Sequence, residues 1–259
     1  MTERLLIEGA SVTYRQPGRR VLTAVDAVDL QVGAGEVVGL VGESGCGKST
    51  LARAVCGLEP LAGGRILLDG QTVSRLGLRA RDPRLRRIQM VFQNPYASLN
   101  PRRRVGAQIE DGRRAATGTA PSVAELLDSV GLDAGAAARY PHEFSGGQRQ
   151  RVAIARAMAT GPDLLIGDEP IASLDASLQA RVAGLMRRVA LEQGASLLFI
   201  SHDLAVVRAI ADRIAVMQAG RVVEQGTAEQ VWARPQHAYT RRLLAAIPVA
   251  DGLGRLPAA

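Results

Sequence analysis

Apolar and polar residues alternate over 5–14 and again over 21–32, with Leu5, Ile7 and Val12 in the first run and Val21, Val25, Val28 and Leu30 in the second. A period of two predicts two strands, joined across the turn composition Gln16-Pro17-Gly18. Val37-Val38-Gly39-Leu40-Val41 predicts a third strand, which enters a glycine-rich loop. Leu51, Ala54, Val55 and Leu58 then recur at helical spacing, and Gly57 with Pro60 closes that helix after two to three turns. After Gly63-Gly64 a short strand spans 65–68 and leads into an Asp69-Gly70 turn. These early strands predict a small β lobe beside the core.

Further along, Ile88-Gln89-Met90-Val91-Phe92 reads as a strand. The stretch 121–160 reads as helical, with Val123, Leu126, Leu127 and Val130 in one segment and Val152, Ile154, Ala155 and Met158 in another. Leu164-Leu165-Ile166-Gly167-Asp168-Glu169 is an apolar strand ending in two acids, and 196–200 is a buried strand ending in Ser201-His202-Asp203. Strands at 214–217 and 221–224 flank Ala219-Gly220, an amphipathic tail runs to 248, and 250–259 reads as frayed.

Composition narrows this picture in three ways. First, 259 residues at 47 % hydrophobic content suffice for one large α/β core or a core with an inserted lobe, and fit no disordered class. Second, Cys46 and Cys56 are the only cysteines, so neither a disulfide framework nor a zinc cluster is available and a reducing compartment is expected. Glu3, Arg4 and Glu8 interrupt the N-terminus, and no stretch approaches 18 uncharged apolar residues, so a chain neither secreted nor membrane-spanning by itself is expected. Third, a net charge of +7 suggests an anionic partner: nucleotide, nucleic acid or membrane face. The basic run over 79–104, with Arg79, Arg81, Arg84, Arg86, Arg87, Arg102, Arg103 and Arg104, suits a solvated face or a nucleic-acid patch. Only Phe92 and Tyr96 interleave it, too few stacking platforms for a single-strand binder.

The sharpest chemistry lies in Gly42-Glu43-Ser44-Gly45-Cys46-Gly47-Lys48-Ser49-Thr50, which fits G-x-x-x-x-G-K-[ST] directly after a strand. Glycines let the backbone turn its N–H groups inward, the following helix aims its positive end at the same point, and Lys48 adds a full charge. Ser49 can place its hydroxyl on magnesium. Among 32 lysines and arginines Lys48 is the only lysine, so a chain that otherwise uses arginine departs from its habit here. A compact ammonium fits between phosphate oxygens where a planar guanidinium does not. Together these predict a nucleoside triphosphate site.

Other positions gain meaning from that loop. Asp168 is expected to hold magnesium at the tip of the strand neighbouring the loop, and Glu169 to take a proton from an attacking water. His202 ends another strand, at the edge where open α/β sheets bind ligands, although a lone histidine also suits a structural role. Ser145 is a good N-cap for a helix starting near Gln148, and Gly146 and Gly147 leave amides exposed; an anion-attracting end and an ordinary capped turn fit equally well. Tyr14, closing the first strand, suits an edge aromatic or a base-stacking one.

With the phosphate loop, then Phe144-Ser145-Gly146-Gly147-Gln148, then Leu164-Leu165-Ile166-Gly167-Asp168-Glu169 in that order, the chain resembles the nucleotide-binding subunits of ABC transporters over nearly its whole length. The resemblance implies an α/β fold: a RecA-like P-loop NTPase core, an antiparallel β lobe, and an inserted α-helical subdomain at about 94–160. It implies one ATPase domain over 1–235 and a tail over 236–259. It also implies ATP and Mg2+ as ligands, with two cassettes paired head to tail.

By position, Tyr14 resembles the residue that stacks on adenine, and Gln93 the glutamine that senses magnesium and the attacking water. Residues 145–148 resemble the signature that meets the partner's γ-phosphate. Asp168 resembles the magnesium acid, Glu169 the catalytic base, Asp175 the cross-dimer loop, and His202 the switch histidine. Phe144 stands where leucine is commonest, Gly167 where a small residue such as alanine is usual, and Ile171-Ala172-Ser173 where Thr-Ser-Ala is frequent. A strand glycine at 167 implies a cost of about 0.5–1 kcal/mol.

Val91-Phe92-Gln93-Asn94-Pro95-Tyr96-Ala97-Ser98-Leu99-Asn100-Pro101-Arg102 and His237-Ala238-Tyr239-Thr240-Arg241 are similar to the oligopeptide, dipeptide and nickel importer branch, with Ala238 where proline is usual. That likeness implies an importer ATPase for peptides or metal chelates, peripheral at the cytoplasmic face of the inner membrane. Its implied partners are transmembrane permease subunits, a second cassette (more often a different chain) and, indirectly, an extracytoplasmic substrate-binding protein; nucleic acid is not expected. The competing reading, a soluble ABC-type ATPase acting on nucleic acid or ribosomes, expects tandem cassettes, a coiled-coil insertion or zinc cysteines, which the sequence lacks. A degenerate regulatory cassette is opposed by Lys48, Asp168, Glu169 and His202 occurring together.

Overall fold

In the computed structural model the described residues are 3–15, 21–74, 83–95, 98–116, 118 and 120–247. The expected Gln16-Pro17-Gly18 turn, Arg79, Arg81, the side chain of Arg84, Tyr96, Ala97 and the segment from 248 onward lie outside them. In chain order the elements are β1 (Glu3–Arg15), β2 (Val21–Gly33), β3 (Val37–Val41), α1 (Lys48–Val55), β4 (Gly63–Leu68), β5 (Gln71–Thr72), β6 (Ile88–Phe92), α2 (Val105–Ala115), α3 (Val123–Ser129), α4 (Gly146–Met158) and β7 (Leu164–Asp168). They continue with α5 (Ala176–Glu192), β8 (Ser196–Ser201), α6 (Leu204–Ile210), β9 (Arg213–Gln218), β10 (Arg221–Thr227), α7 (Ala228–Ala233) and α8 (Ala238–Ala245).

The apolar runs become the middle of a six-stranded sheet ordered β10-β9-β3-β8-β7-β6, parallel from β9 to β6, with β10 antiparallel at the edge. Their lack of alternation follows from burial on both faces. Val38 and Leu40 of β3 point into one core with α1, β1, β2 and β4, while Val37 and Val41 point into the other, with α4, α5 and α6. The alternating runs instead form a four-stranded antiparallel sheet, β2-β1-β4-β5, with Leu5, Ile7 and Val12 turned inward.

Two expectations needed correction. Asp168 was expected on the strand neighbouring the loop, but β8 lies between β3 and β7. Parallel order is set by which crossover packs where, so neighbours in function need not pair. Leu58 was read into the apolar face of the loop helix, yet α1 ends at Val55. The Leu58 N–H turns back to the Arg53 carbonyl at 2.8 Å, leaving Leu58 44 % exposed.

Between β6 and β7 the described chain is helical: α2, α3 and α4, with single turns of 3-10 helix at Ala134–Ala138 and Pro141–Glu143. Ser145 caps α4 with a capping box. Its Oγ accepts from the Gln148 N–H at 3.3 Å, and the Gln148 side chain accepts from the Ser145 N–H at 3.0 Å. Part of the basic run is paired. Arg4 and Arg87 share Asp69 and Asp163, with Arg4–Asp69 at 2.8 Å and Arg87–Asp69 at 2.6 Å, which ties the β lobe to the starts of β6 and β7. Arg103 pairs with Asp111 at 2.5 Å.

Gly167 has a packing reason. A Cβ there would lie 2.9 Å from Met186 Cε and 3.0 Å from Pro170 Cγ, so the side chains of α5 close onto bare backbone. Phe144 is buried, with the Arg139 guanidinium 4.1 Å from its ring centre.

Candidate functional site

Parallel strands end at a common edge, and here that edge collects the chemistry. β3 pairs Val41 with Ser201, β8 pairs Ile200 with Asp168, and β7 pairs Asp168 with Phe92. The loop after β3, His202 after β8, Glu169 after β7 and Gln93 after β6 therefore leave the sheet side by side.

The loop 42–47 is shaped by glycines that no other residue could replace. At Gly42 (φ 155°) a Cβ would lie 2.1 Å from the Met217 carbonyl oxygen, and at Gly47 (φ 111°) it would lie 2.2 Å from the Ala24 carbonyl oxygen. The Gly220 N–H donates to the Cys46 carbonyl at 2.9 Å, and the Leu51 N–H donates to the Gly47 carbonyl at 2.9 Å, so loop, β9–β10 turn and α1 form one unit.

Lys48 is 4 % exposed and donates to the carbonyls of Gly42 at 2.7 Å and Glu43 at 2.8 Å. Its closest partners are thus backbone carbonyls, with Cys46 Sγ at 3.8 Å and Glu169 Oε1 at 3.9 Å farther off, and it can exchange those carbonyls for phosphate oxygens at little cost in desolvation. Burial pushes the Cys46 thiol up, despite the neighbouring Lys48, so it stays a neutral packing group.

Ser49, in the first turn of α1, donates its hydroxyl to Asp168 Oδ1 at 2.7 Å, reaching past β8 to β7. Burial pushes the Asp168 carboxyl above its ordinary range, with the Ser49 hydroxyl opposing it. Glu169 has a left-handed backbone (φ 47°), unusual for a non-glycine, and its N–H is bound to the Ile200 carbonyl at 3.0 Å. Its carboxylate is shared: Oε1 faces Lys48 Nζ at 3.9 Å and Oε2 faces His202 Nδ1 at 3.1 Å.

Tyr14, Ser44, Gly45, Gly47, Lys48, Ser49, Thr50, Gln93 and Glu169 line one cleft of about 380 Å3. Gly42, Glu43 and His202 line a second, of about 760 Å3, on the loop's other side. Cys46 is buried beneath the loop. Ser145, Gly147 and Gln148 line a third cleft of about 410 Å3, between α4 and α5, with Gly146 exposed beside them. The signature and the phosphate loop thus line separate clefts of one chain. Asp175 caps α5, accepting from the Leu178 N–H at 3.1 Å, and the Ser177 hydroxyl beside it holds its carboxyl below the ordinary range.

Two contacts escaped the sequence reading. Buried Gln150 of α4 donates to the Phe92 carbonyl at 3.5 Å, next to Gln93. Tyr239 Oη accepts from the Glu43 N–H at 2.9 Å, across 196 positions of sequence. The first had a signal in a polar residue on the apolar side of the 152–158 pattern; the second had none.

The chain is 46 % identical over 261 residues to the oligopeptide transport ATP-binding protein OppF of Bacillus subtilis, covering 97 % of this chain and 85 % of that one. Among solved structures, the cassette MJ0796, a dimer in a post-hydrolysis state bound to ADP and Pi, superimposes with a TM-score of 0.72 at 27 % identity, covering 86 % of this chain and 98 % of that one. CbiO1 from Clostridium perfringens, part of the transporter complex cbiONQ, superimposes at 0.76 and 28 % identity, covering 90 % and 92 %. The family model for ABC transporters matches residues 25–172, from the middle of β2 past the Asp168-Glu169 pair, and with a relative this similar along almost its full length the chain belongs to the ABC transporter family.

Proposed function

We propose that this chain drives the import of peptides through a channel built by other chains, hydrolysing ATP at its phosphate loop against a second cassette. Family membership makes the chain an ATP-binding ATPase. The observation that carries hydrolysis at this loop is the convergence, on one sheet edge, of buried Lys48, the Ser49–Asp168 pair and the Glu169–His202 pair.

ATP enters the cleft with its base beside Tyr14 and its phosphates against the amides of 44–49. Lys48 leaves the Gly42 and Glu43 carbonyls for the phosphate oxygens. Glu169 accepts the proton of the attacking water, and His202 at 3.1 Å orients it. The donor set fits magnesium: Ser49 and Asp168 bring two hard oxygens together, Gln93 stands at the same cleft, and the remaining positions suit phosphates and water. A bound magnesium neutralises charge on the transferred phosphoryl group.

By likeness to paired cassettes, residues 145–148 serve the phosphates of a second cassette and Asp175 the junction with it; Ser145, Gly147 and Gln148 lining a different cleft from Lys48 supports this. The peptide cargo rests on likeness to OppF, and assembly with permease subunits on likeness to a cassette from a transporter complex. Among the described residues no helix is long and apolar enough to cross a membrane, consistent with peripheral attachment at the cytoplasmic face of the inner membrane. An extracytoplasmic binding protein then delivers the cargo.

The test is reconstitution with the companion chains in vesicles. ATP-driven uptake of labelled peptide is expected; ATP turnover with uptake of nickel chelates alone overturns the cargo, and no turnover overturns the whole reading. Tyr14→Ala is expected to weaken ATP binding by about 1–3 kcal/mol, the scale of base–aromatic stacking, and Tyr14→Phe to do little. Equal losses in calorimetric titrations of both variants would point to the hydroxyl instead.

A further inference from the structure

The phosphate loop is gripped from behind by the chain's last described helix. Tyr239 of α8, 2 % exposed, accepts from the Glu43 N–H, while the Gly42 carbonyl accepts from Lys48 Nζ. These two groups belong to one peptide unit. The peptide is trans, so its N–H and C=O point in opposite directions, and one flat unit is clamped between a phenol and an ammonium.

We propose that Tyr239 is a positioning residue for nucleotide binding: by fixing the plane of the Gly42–Glu43 peptide it sets the place where Lys48 waits for phosphate. The inference rests on the phosphate loop being the ATP site. Turning the Glu43 N–H outward also removes it from the donors available to phosphate, so the anion-facing amides begin at Ser44.

The phenol is itself well anchored. Glu224 of β10 accepts from the Gln236 N–H at 2.7 Å and the His237 N–H at 3.0 Å, and His237 Nδ1 accepts from the Tyr239 N–H at 3.2 Å. Leu243, Leu244 and Ile247 pack against the helical core. Burial pushes the Tyr239 phenol up, so the hydroxyl keeps its proton. The route from Glu224 through His237 and Tyr239 to the loop is thus made of directed, part-buried bonds, with the Gln236 bond at the surface, and directed bonds are what setting a peptide plane requires.

Tyr239→Phe removes one oxygen and keeps the ring. In calorimetric titration of the full chain with magnesium and ATP, affinity is expected to fall about three- to tenfold, the worth of one net hydrogen bond. KM for ATP should rise by a similar factor and kcat fall much less. His237→Ala, which loosens the cap beneath Tyr239, should shift affinity the same way by less. Unchanged ATP affinity in both variants, with only a lower melting temperature, would show a merely structural tyrosine and overturn the proposal. If wild type binds ATP and Lys48→Ala does not, the ATP-site reading stands whatever the tyrosine variants do; if wild type itself binds none, both fall.

Discussion

Glu169→Gln is expected to keep ATP bound while turnover falls by about 10²–10⁴-fold, the range for loss of a positioned general base. The substitution is nearly isosteric, so the amide can still sit 3.1 Å from His202 and leave Lys48 and the Ser49–Asp168 pair in place. An amide cannot accept the proton of the attacking water, and the closed pair should persist. Size-exclusion with ATP and magnesium reads this directly. A heteromeric transporter predicts a monomer until the second cassette is added, whereas a stable homodimer of this variant would show that the chain pairs with itself. Ordinary steady-state hydrolysis would remove Glu169 from the role of base.

Lys48→Arg keeps the charge and should still lose about 10- to 100-fold in ATP affinity or turnover, the scale of one charge-assisted hydrogen bond. Lys48 is 4 % exposed, with its nitrogen 2.7 and 2.8 Å from two carbonyls of its own loop and 3.9 Å from Glu169. A single tetrahedral nitrogen meets both carbonyls from one point, a placement the wide planar fork of a guanidinium does not reproduce. Coupled-assay kinetics check it: activity equal to wild type would mean that the chain's single lysine is there by chance.

Much of this site was legible before folding because its parts are local. Phosphate loop, Asp168-Glu169 and His202 each follow an apolar run, and runs buried on both faces announce parallel strands whose ends bind ligands. What stayed hidden is long-range or masked by mixed composition. The position of β8 between β3 and β7 rests on pairings distant in sequence, Val41 with Ser201 and Asp168 with Ile200, which no local pattern encodes. The helix α2 begins where the basic run ends, a stretch that suited a solvated face or a nucleic-acid patch and gave no helix signal, and its N-cap Arg104 offers no side-chain cap. In α5 the stripe of Val182, Met186 and Val189 is interleaved in sequence with Arg181, Arg187 and Arg188, which sit off that stripe, so the apolar period is masked. The Tyr239 hydroxyl reaches the loop from the other end of the chain, and no local pattern encodes that.

The bare backbone at Gly167 restricts how this sequence can drift. Met186 Cε and Pro170 Cγ occupy the space that an alanine methyl would need, one residue before the acid that Ser49 holds. An alanine there would need the flexible end of Met186 to swing aside and Pro170 to give slightly, whereas a shorter residue at 186 would leave a void behind the strand that carries Asp168. Positions 167 and 186 are therefore expected to be coupled, so that Gly167→Ala and Met186→Leu would not add in a double-mutant cycle, and a change at either alone would be felt at Asp168 and Glu169 without touching them.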